Sequence, residues 1–281
     1  MTNKTIMLCA INNIKSGGCN EDCKFCTQSV HNDVAIESYK LKTTAQIVDE
    51  AKAAKQNKAV GFCLVTSGKA LGDDLCEFLC KTAYEVKKAV PEFNLIACNG
   101  IANIDQLKAL KKNGIDSYNH NIETSQNFYP DICTTHSWQE RFETCMNVKE
   151  AGLNLCCGGI FGLGESSDDR MKLLQTIAQI QPKTVPINFF MATNGLPIDA
   201  KTITKSEALE IVKLARKLLP TQKLMAAGGR QSVFGDDQKP LFEAGIDAIV
   251  IGDYLTAKGT KTAQDIRMIQ DFGYEIAQRC R

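Results

Sequence analysis

Three cysteines at Cys19-x3-Cys23-x2-Cys26, in the segment GGCNEDCKFCTQS, form the group whose type and spacing could do chemistry. With 13 cysteines in 281 residues, random placement would give this triple somewhere in the chain roughly 3% of the time. A closed structural zinc site is the alternative, but it wants four ligands and usually a second paired motif. No pair accompanies the triple, and the chain has only His31, His120 and His136 as histidines. Three thiolates in a short loop can instead hold three irons of a 4Fe-4S cube and leave the fourth iron open to a chelating molecule.

With Phe25 inside the motif, the segment resembles the signature of the radical S-adenosylmethionine enzymes. The resemblance implies that Cys19, Cys23 and Cys26 hold a 4Fe-4S cluster whose open iron chelates S-adenosylmethionine. Electron transfer from the cluster would split that molecule into methionine and a 5'-deoxyadenosyl radical.

A second set of cysteines lies on apolar runs: Cys63 in AVGFCLV, Cys98 in NLIAC and Cys156 in LNLCCGG. Any one of them alone is more often a small core residue. Three on separate strands change the odds. Cys156 and Cys157 cannot both face inward, because strand side chains alternate. Cys76 and Cys80 are spaced i,i+4 beside Leu75 and Leu79 and read as helix core filling. Cys9, Cys133, Cys145 and Cys280 carry no partner pattern.

The segments YNHNIETS (118–125), TTHSWQERFET (134–144), CCGGIFGLGE (156–165), VPINFF (185–190) and AAGGRQS (226–232) resemble, in the same order, those of the biotin synthase family. That resemblance spans nearly the whole chain. It implies sulfur insertion into dethiobiotin, with an auxiliary 2Fe-2S cluster held by Cys63, Cys98, Cys156 and Arg230 as metal ligands. It assigns Asn121 and Glu123 to the adenosyl ribose, Arg141 to the carboxylate of S-adenosylmethionine, and Asn121 with Asn188 to the ureido ring of the substrate. An electron donor such as flavodoxin or ferredoxin is implied, and a homodimer is allowed. The chain departs from the family pattern at Thr27, where proline is common, at Glu123 for aspartate, and at Gly228-Gly229-Arg230 for Ala-Gly-Arg. Other radical enzymes of the same type, for hydrogenase maturation or methylornithine formation, would share the first cluster but need not keep the second set. A non-catalytic iron or zinc protein is the rival from another class.

By the two-residue period Asn119, Asn121 and Glu123 share a strand face, and His120 faces the other way. His120 reads as a buried histidine bonded to backbone, since hydrogen abstraction by a radical needs no base. The glycine run from Gly158 to Gly164, ending at Glu165, lacks the GxGxxG order of a dinucleotide loop. It reads either as close approach to the adenosyl group or as a structural turn.

The elements that must position these groups alternate from end to end. Strands are predicted at Ile6–Asn12, Val60–Thr66, Asn94–Asn99, Ser117–Ile122, Leu153–Ile160, Thr184–Phe190, Lys223–Ala227 and Ala248–Ile251. Amphipathic segments lie between them, at Thr44–Ala54, Asp74–Val90, Ile104–Asn113, Gln139–Ala151, Asp168–Ile180, Lys205–Leu219 and Asp237–Ala244, with a last one at Thr262–Arg279. Eight such units predict a single α/β domain over residues 1–281, a (β/α)8 TIM-type barrel with the clusters inside and at the C-terminal ends of the strands. An open doubly wound sheet is the alternative.

Composition agrees with small-molecule chemistry. Lys+Arg 33 against Asp+Glu 32 leaves a net charge of +1, which supplies no field for nucleic acid or anionic lipid. No apolar run approaches the ~20 residues of a membrane helix, and the N-terminal run has no cleavage site for a signal peptide. Many unpaired cysteines in odd number fit a reducing cytoplasm.

Overall fold

A computed structural model describes residues 4–200 and 202–280. Among the described residues there are ten strands and ten helices. The strands are β1 (Thr5–Lys15), β2 (Gly61–Thr66), β3 (Asn94–Cys98), β4 (Ser117–Asn119), β5 (Asn154–Cys156), β6 (Gly159–Phe161), β7 (Thr184–Phe189), β8 (Lys223–Ala226), β9 (Ala248–Ile251) and β10 (Glu275–Ile276). The helices are α1 (Thr44–Gln56), α2 (Asp73–Ala89), α3 (Ile104–Lys112), α4 (Tyr129–Ile132), α5 (Trp138–Glu150), α6 (Ser167–Ile180), α7 (Lys205–Leu218), α8 (Arg230–Phe234), α9 (Lys239–Glu243) and α10 (Thr262–Asp271). Strands and helices alternate except where α4 and α5, β5 and β6, and α8 and α9 follow one another. Five helices start on reciprocal capping boxes that the sequence spells out, such as Ser137 with Glu140 and Ser166 with Asp169.

All strand pairs are parallel, in the order β1-β2-β3-β4-β5-β7-β8-β9, and β9 pairs back onto β1 to close the barrel. The register fixes its geometry. Pairing that leaves Asn13 passes through Val65, Cys98, Asn119 and Cys156 to Thr184. Ile187, three residues on, leads through Ala226 and Ile249 to Leu8. The circuit therefore returns at the level of Thr5, eight residues lower, which is the stagger of a TIM-type barrel. The open doubly wound alternative is excluded by this closure.

Strand alternation divides two cores. Leu8, Phe62, Leu64, Leu95, Tyr118 and Leu155 face the helices in the main core, while Met7, Met225 and Val250 form one cluster of the barrel interior. Cys63, Val65 and Ile96 form a second interior cluster.

Several predicted elements differ, among them the fourth strand, which ends at Asn119 instead of Ile122. The fifth strand is split into β5 and β6 because Pro186 of β7 stands opposite the break and has no N–H to donate to the ladder. The last predicted helix ends at Asp271: Gly273 takes a left-handed φ of 82°, and the chain returns as β10 beside Thr5 and Ile6.

Candidate active site

The loop after β1 carries Cys19, Cys23 and Cys26, and backbone bonds fix it. Cys19 donates to the Gln28 carbonyl (3.1 Å), Val30 donates to that of Cys19 (2.9 Å), and Cys26 donates to that of Cys23 (3.0 Å). The Asn32 amide donates to the carbonyls of both Cys23 (3.0 Å) and Cys26 (2.8 Å). Thr27 shares a 2.7 Å hydroxyl bond with Thr256, which ties the loop to the segment after β9. A proline at 27 could not make that bond.

The three thiols do not gather within 4.8 Å of one another, as the ligands of a single ion would; among the described residues only Cys23, Cys133 and His136 do so. An iron-sulfur cube spreads three thiolates over three irons, so the donor set fits a cluster better than a zinc ion. Burial, first of all, pushes the Cys26 thiol up, with the charge of Cys19 adding to it and backbone N–H groups of Gln28 and Ser29 opposing. Binding to iron would remove that penalty, because metal takes the thiolate.

One cavity of about 520 Å³ runs from this loop into the barrel. It is lined by Cys19, Cys23 and Cys26, by Cys63 and Cys98, and by Asn121, Glu123, Arg141 and Asn188. The Arg141 guanidinium donates through Nε to the Asn121 carbonyl (2.6 Å) and through Nη2 to Glu123 Oε1 (3.0 Å). Burial works against the Arg141 charge, but Glu123 and other neighbours outweigh it and hold the group protonated. Burial pushes the Glu123 carboxyl up, and Arg141 opposes this. Glu123 Oε2 and Asn119 Oδ1 are buried without a hydrogen-bond partner. Two acceptors aimed into a cavity suit a polar ligand with hydroxyl and amine donors.

Asn188 is held rigidly. Its Nδ2 donates to the Gly159 carbonyl (3.0 Å), and its Oδ1 accepts from the Gly228 N–H (2.9 Å) and the Tyr254 hydroxyl (2.8 Å). A Cβ at Gly228 would stand 2.9 Å from the Tyr254 ring, so the glycine at this departure from the family pattern makes room for the tyrosine.

Inside the barrel, Cys98 accepts from the Asn119 amide (3.4 Å). A thiol bond from Cys63 is the main cause that lowers Cys98, against burial, and the same bond raises Cys63. Burial pushes Cys156 up to about 12. Cys157, next to it, lies in the helix-facing core with Leu155, so only Cys156 faces in.

Arg230 is bonded elsewhere. It sits beyond β8 at the start of α8, where Nη2 donates to both carboxylate oxygens of Asp265 (2.9 and 3.0 Å) and Nη1 bonds Gln238. In this structure the residue expected as the fourth ligand is paired with Asp265. The reading of His120 also changes: β4 ends at Asn119, alternation ends with it, and the ring lines the cavity with Nε2 unpartnered rather than bonded to backbone. The glycine run is closed by Glu165, whose carboxylate accepts from the N–H groups of Gly162 (2.8 Å) and Leu163 (2.6 Å) and from Arg170 (2.7 Å), which favours the structural-turn reading.

Three residues of the site escaped sequence reasoning. Cys133 lies 3.6 Å from Cys23 and 3.1 Å from His136 Nδ1, and His136 Nε2 lies 3.3 Å from Arg141. The Cys133-x2-His136 spacing was the available signal. Tyr254 follows β9 with no pattern to mark it.

The chain is similar to known proteins over most of its length. The Radical SAM superfamily model matches residues 13–177, and the Biotin and Thiamin Synthesis associated domain matches residues 186–275. Proteins named biotin synthase are similar over the full length. That of Aliarcobacter butzleri is 55% identical over 280 residues, covering 100% of this chain and 99% of the relative. That of Wolinella succinogenes is 52% identical over 277 residues, with 99% of each chain covered. Among solved structures, a methylornithine synthase superposes with a TM-score of 0.81 at 16% identity, covering 97% of this chain and 84% of that one. An FeFe-hydrogenase maturase from Carboxydothermus hydrogenoformans gives 0.82 at 19%, covering 96% and 67%. These two share the fold, and at such identities nothing more is carried over from them.

Proposed function

Because the chain belongs to the biotin synthase family of radical S-adenosylmethionine enzymes, we propose that it makes biotin by inserting sulfur into dethiobiotin, with the residues of the cavity in the following roles. The observation that carries this reading is the single cavity that joins the Cys19, Cys23, Cys26 loop to Cys63 and Cys98.

Cys19, Cys23 and Cys26 would hold a 4Fe-4S cluster, which supplies the electron that cleaves S-adenosylmethionine to a 5'-deoxyadenosyl radical. Cys63, Cys98 and Cys156 would hold an auxiliary 2Fe-2S cluster, which supplies the sulfur. Arg141 pairs the carboxylate of S-adenosylmethionine, a contact that suits a planar guanidinium. Glu123 and Asn121 accept from the ribose hydroxyls. Asn188, locked by Gly159, Gly228 and Tyr254, presents its fixed amide to the ureido ring of dethiobiotin, with Asn121 nearby. The protein's contribution is placement: fixed polar groups and a water-poor barrel hold the reacting carbon, the C–H bonds and the sulfur donor within reach of one another. The matched segments 13–177 and 186–275 meet at the β6–β7 pairing, where Gly159 to Phe161 run beside Ile187 to Phe189, which supports reading them as halves of one domain. A small electron carrier such as flavodoxin or ferredoxin, a cytoplasmic location and a homodimer belong to the same proposal. No helix of the described residues is long and apolar enough to cross a membrane.

The test is anaerobic reconstitution with iron and sulfide, followed by reductant, S-adenosylmethionine and dethiobiotin, with mass detection of 5'-deoxyadenosine and biotin. Both products are expected from the parent chain and neither from Cys23→Ala. 5'-Deoxyadenosine without any biotin in the parent would reject the substrate assignment.

A further inference from the structure

Cys63, Cys98 and Cys156 are not the only thiols that face the barrel interior. Cys9 sits on β1 between Leu8 and Ala10, which pack into the helix-facing core. Alternation turns Cys9 the other way, against the interior cluster of Met7, Met225 and Val250. The register sets its height. Because one circuit of eight staves descends eight residues, each stave descends one residue. Cys156, in line with Asn13 and four staves on, therefore stands at the level of Cys9. Cys63, in line with Ile11 on the next stave, stands one step higher, and Cys98 two steps higher. Each step is ~3 Å along the axis, so four thiols from β1, β2, β3 and β5 occupy three adjacent levels.

The neighbouring residues leave room for this. Opposite Cys9 on β2 is Gly61, where a Cβ would stand 2.9 Å from the Cys9 sulfur. The thiol occupies the space over β2 that any other side chain would take, on the strand that carries Cys63. Cys9 and Cys98 each keep surface that no protein atom covers. On β8 the residue facing inward at the same level is Met225, in line with Pro186, while Arg230 is committed to Asp265.

Resting on the proposed auxiliary cluster at Cys63, Cys98 and Cys156, we propose that Cys9 is its fourth protein ligand, so that the barrel holds an all-cysteine site in place of three cysteines and an arginine. Cysteine needs only to lose a proton to bind iron, whereas arginine must give up a charge it keeps in almost every protein setting.

The test uses the full chain with Cys19, Cys23 and Cys26 replaced by alanine, so that only the auxiliary site can load. After anaerobic reconstitution and desalting, iron and sulfide are counted, and resonance Raman and Mössbauer spectra are recorded. Cys9→Val should retain about threefold less iron than the parent. Cys9→Ser should keep iron with displaced Fe–S stretching bands, and this variant decides the matter should the valine variant not fold. The proposal is overturned if both variants keep the parent's iron, sulfide and spectra. In that event loss of the cluster in Cys98→Ala leaves the three-cysteine reading standing, whereas a parent-like Cys98→Ala overturns that reading too.

Discussion

Arg230 and Asp265 are joined by two bonds, of 2.9 and 3.0 Å, from one guanidinium nitrogen to both carboxylate oxygens, with residue exposures of 5% and 1%. Removing one member of such a pair leaves a buried charge without compensation, which typically costs about 3–5 kcal/mol. Arg230→Met is therefore expected to lower unfolding stability by that amount while leaving the auxiliary-cluster spectrum unchanged. The double variant Arg230→Met/Asp265→Leu should recover most of the loss. Urea unfolding of the four proteins in the cycle checks it, and a changed cluster spectrum in a folded Arg230→Met protein would return the arginine to the metal site.

Arg141 makes two contacts that lysine cannot make together, to the Asn121 carbonyl and to Glu123. Arg141→Lys is expected to weaken S-adenosylmethionine binding about tenfold, or ~1.4 kcal/mol, without altering the iron content. Glu123→Gln should weaken it less than Glu123→Ala, because the amide keeps an acceptor for the ribose. Equilibrium dialysis against the reconstituted protein measures both, and parent-like affinity in Arg141→Lys would remove the guanidinium from the site.

Much of this architecture was legible because periodicity and signature report different physics. Eight apolar runs place all eight staves, since a parallel barrel buries its strands on both faces. The Cys19, Cys23, Cys26 spacing is local and survives any uncertainty about tertiary structure. Arg230 is the opposite case: its place in the AAGGRQS segment suggested a ligand, but β8 ends at Ala226 and the arginine opens α8 in an ion pair. Its partner Asp265 is 35 residues away, which no local pattern reveals. Cys9 was passed over because one cysteine in an apolar strand carries no signal until the register sets its level. Cys133 and Tyr254 are brought in by loops whose course depends on the closed barrel.

Three helices begin on carboxylates whose capping bonds hold them below their ordinary values. Glu140 is lowered first by the Ser137 N–H, Asp169 by the Ser125 and Ser166 hydroxyls, and Glu207 by the Thr204 N–H. A depressed folded value means that the unfolded chain binds protons first, so stability rises with pH in this window. The contribution is full above the ordinary values of 4.5 for Glu and 3.8 for Asp and is lost as pH falls through the lower folded values. The three carboxylates are half-buried and still reach solvent, so screening limits each to ~0.5 kcal/mol. In the triple variant Glu140→Gln/Asp169→Asn/Glu207→Gln, the urea midpoint should fall less steeply on acidification below about pH 4.5. A slope equal to the parent's would show that other groups govern acid unfolding.

Gly228 tests whether the Asn188–Tyr254 pair orients the substrate. A methyl group there would meet the Tyr254 ring at 2.9 Å and Asn188 Oδ1 at 3.2 Å, so the ring must move and its 2.8 Å hydroxyl bond to Asn188 must lengthen. Overpacking of this kind costs about 1–3 kcal/mol. Gly228→Ala is expected to lose that much stability and to raise KM for dethiobiotin more than it lowers 5'-deoxyadenosine formation, because in the proposed function the displaced groups serve the substrate rather than the first cluster. Tyr254→Phe removes the hydroxyl but keeps the ring, so it should raise KM without the loss of stability. Tyr254→Ala removes the obstacle, so adding Gly228→Ala to it should cost nothing further in stability. Equal stability penalties for Gly228→Ala with and without the tyrosine ring would show that the two residues are not coupled, and the glycine would then need another explanation.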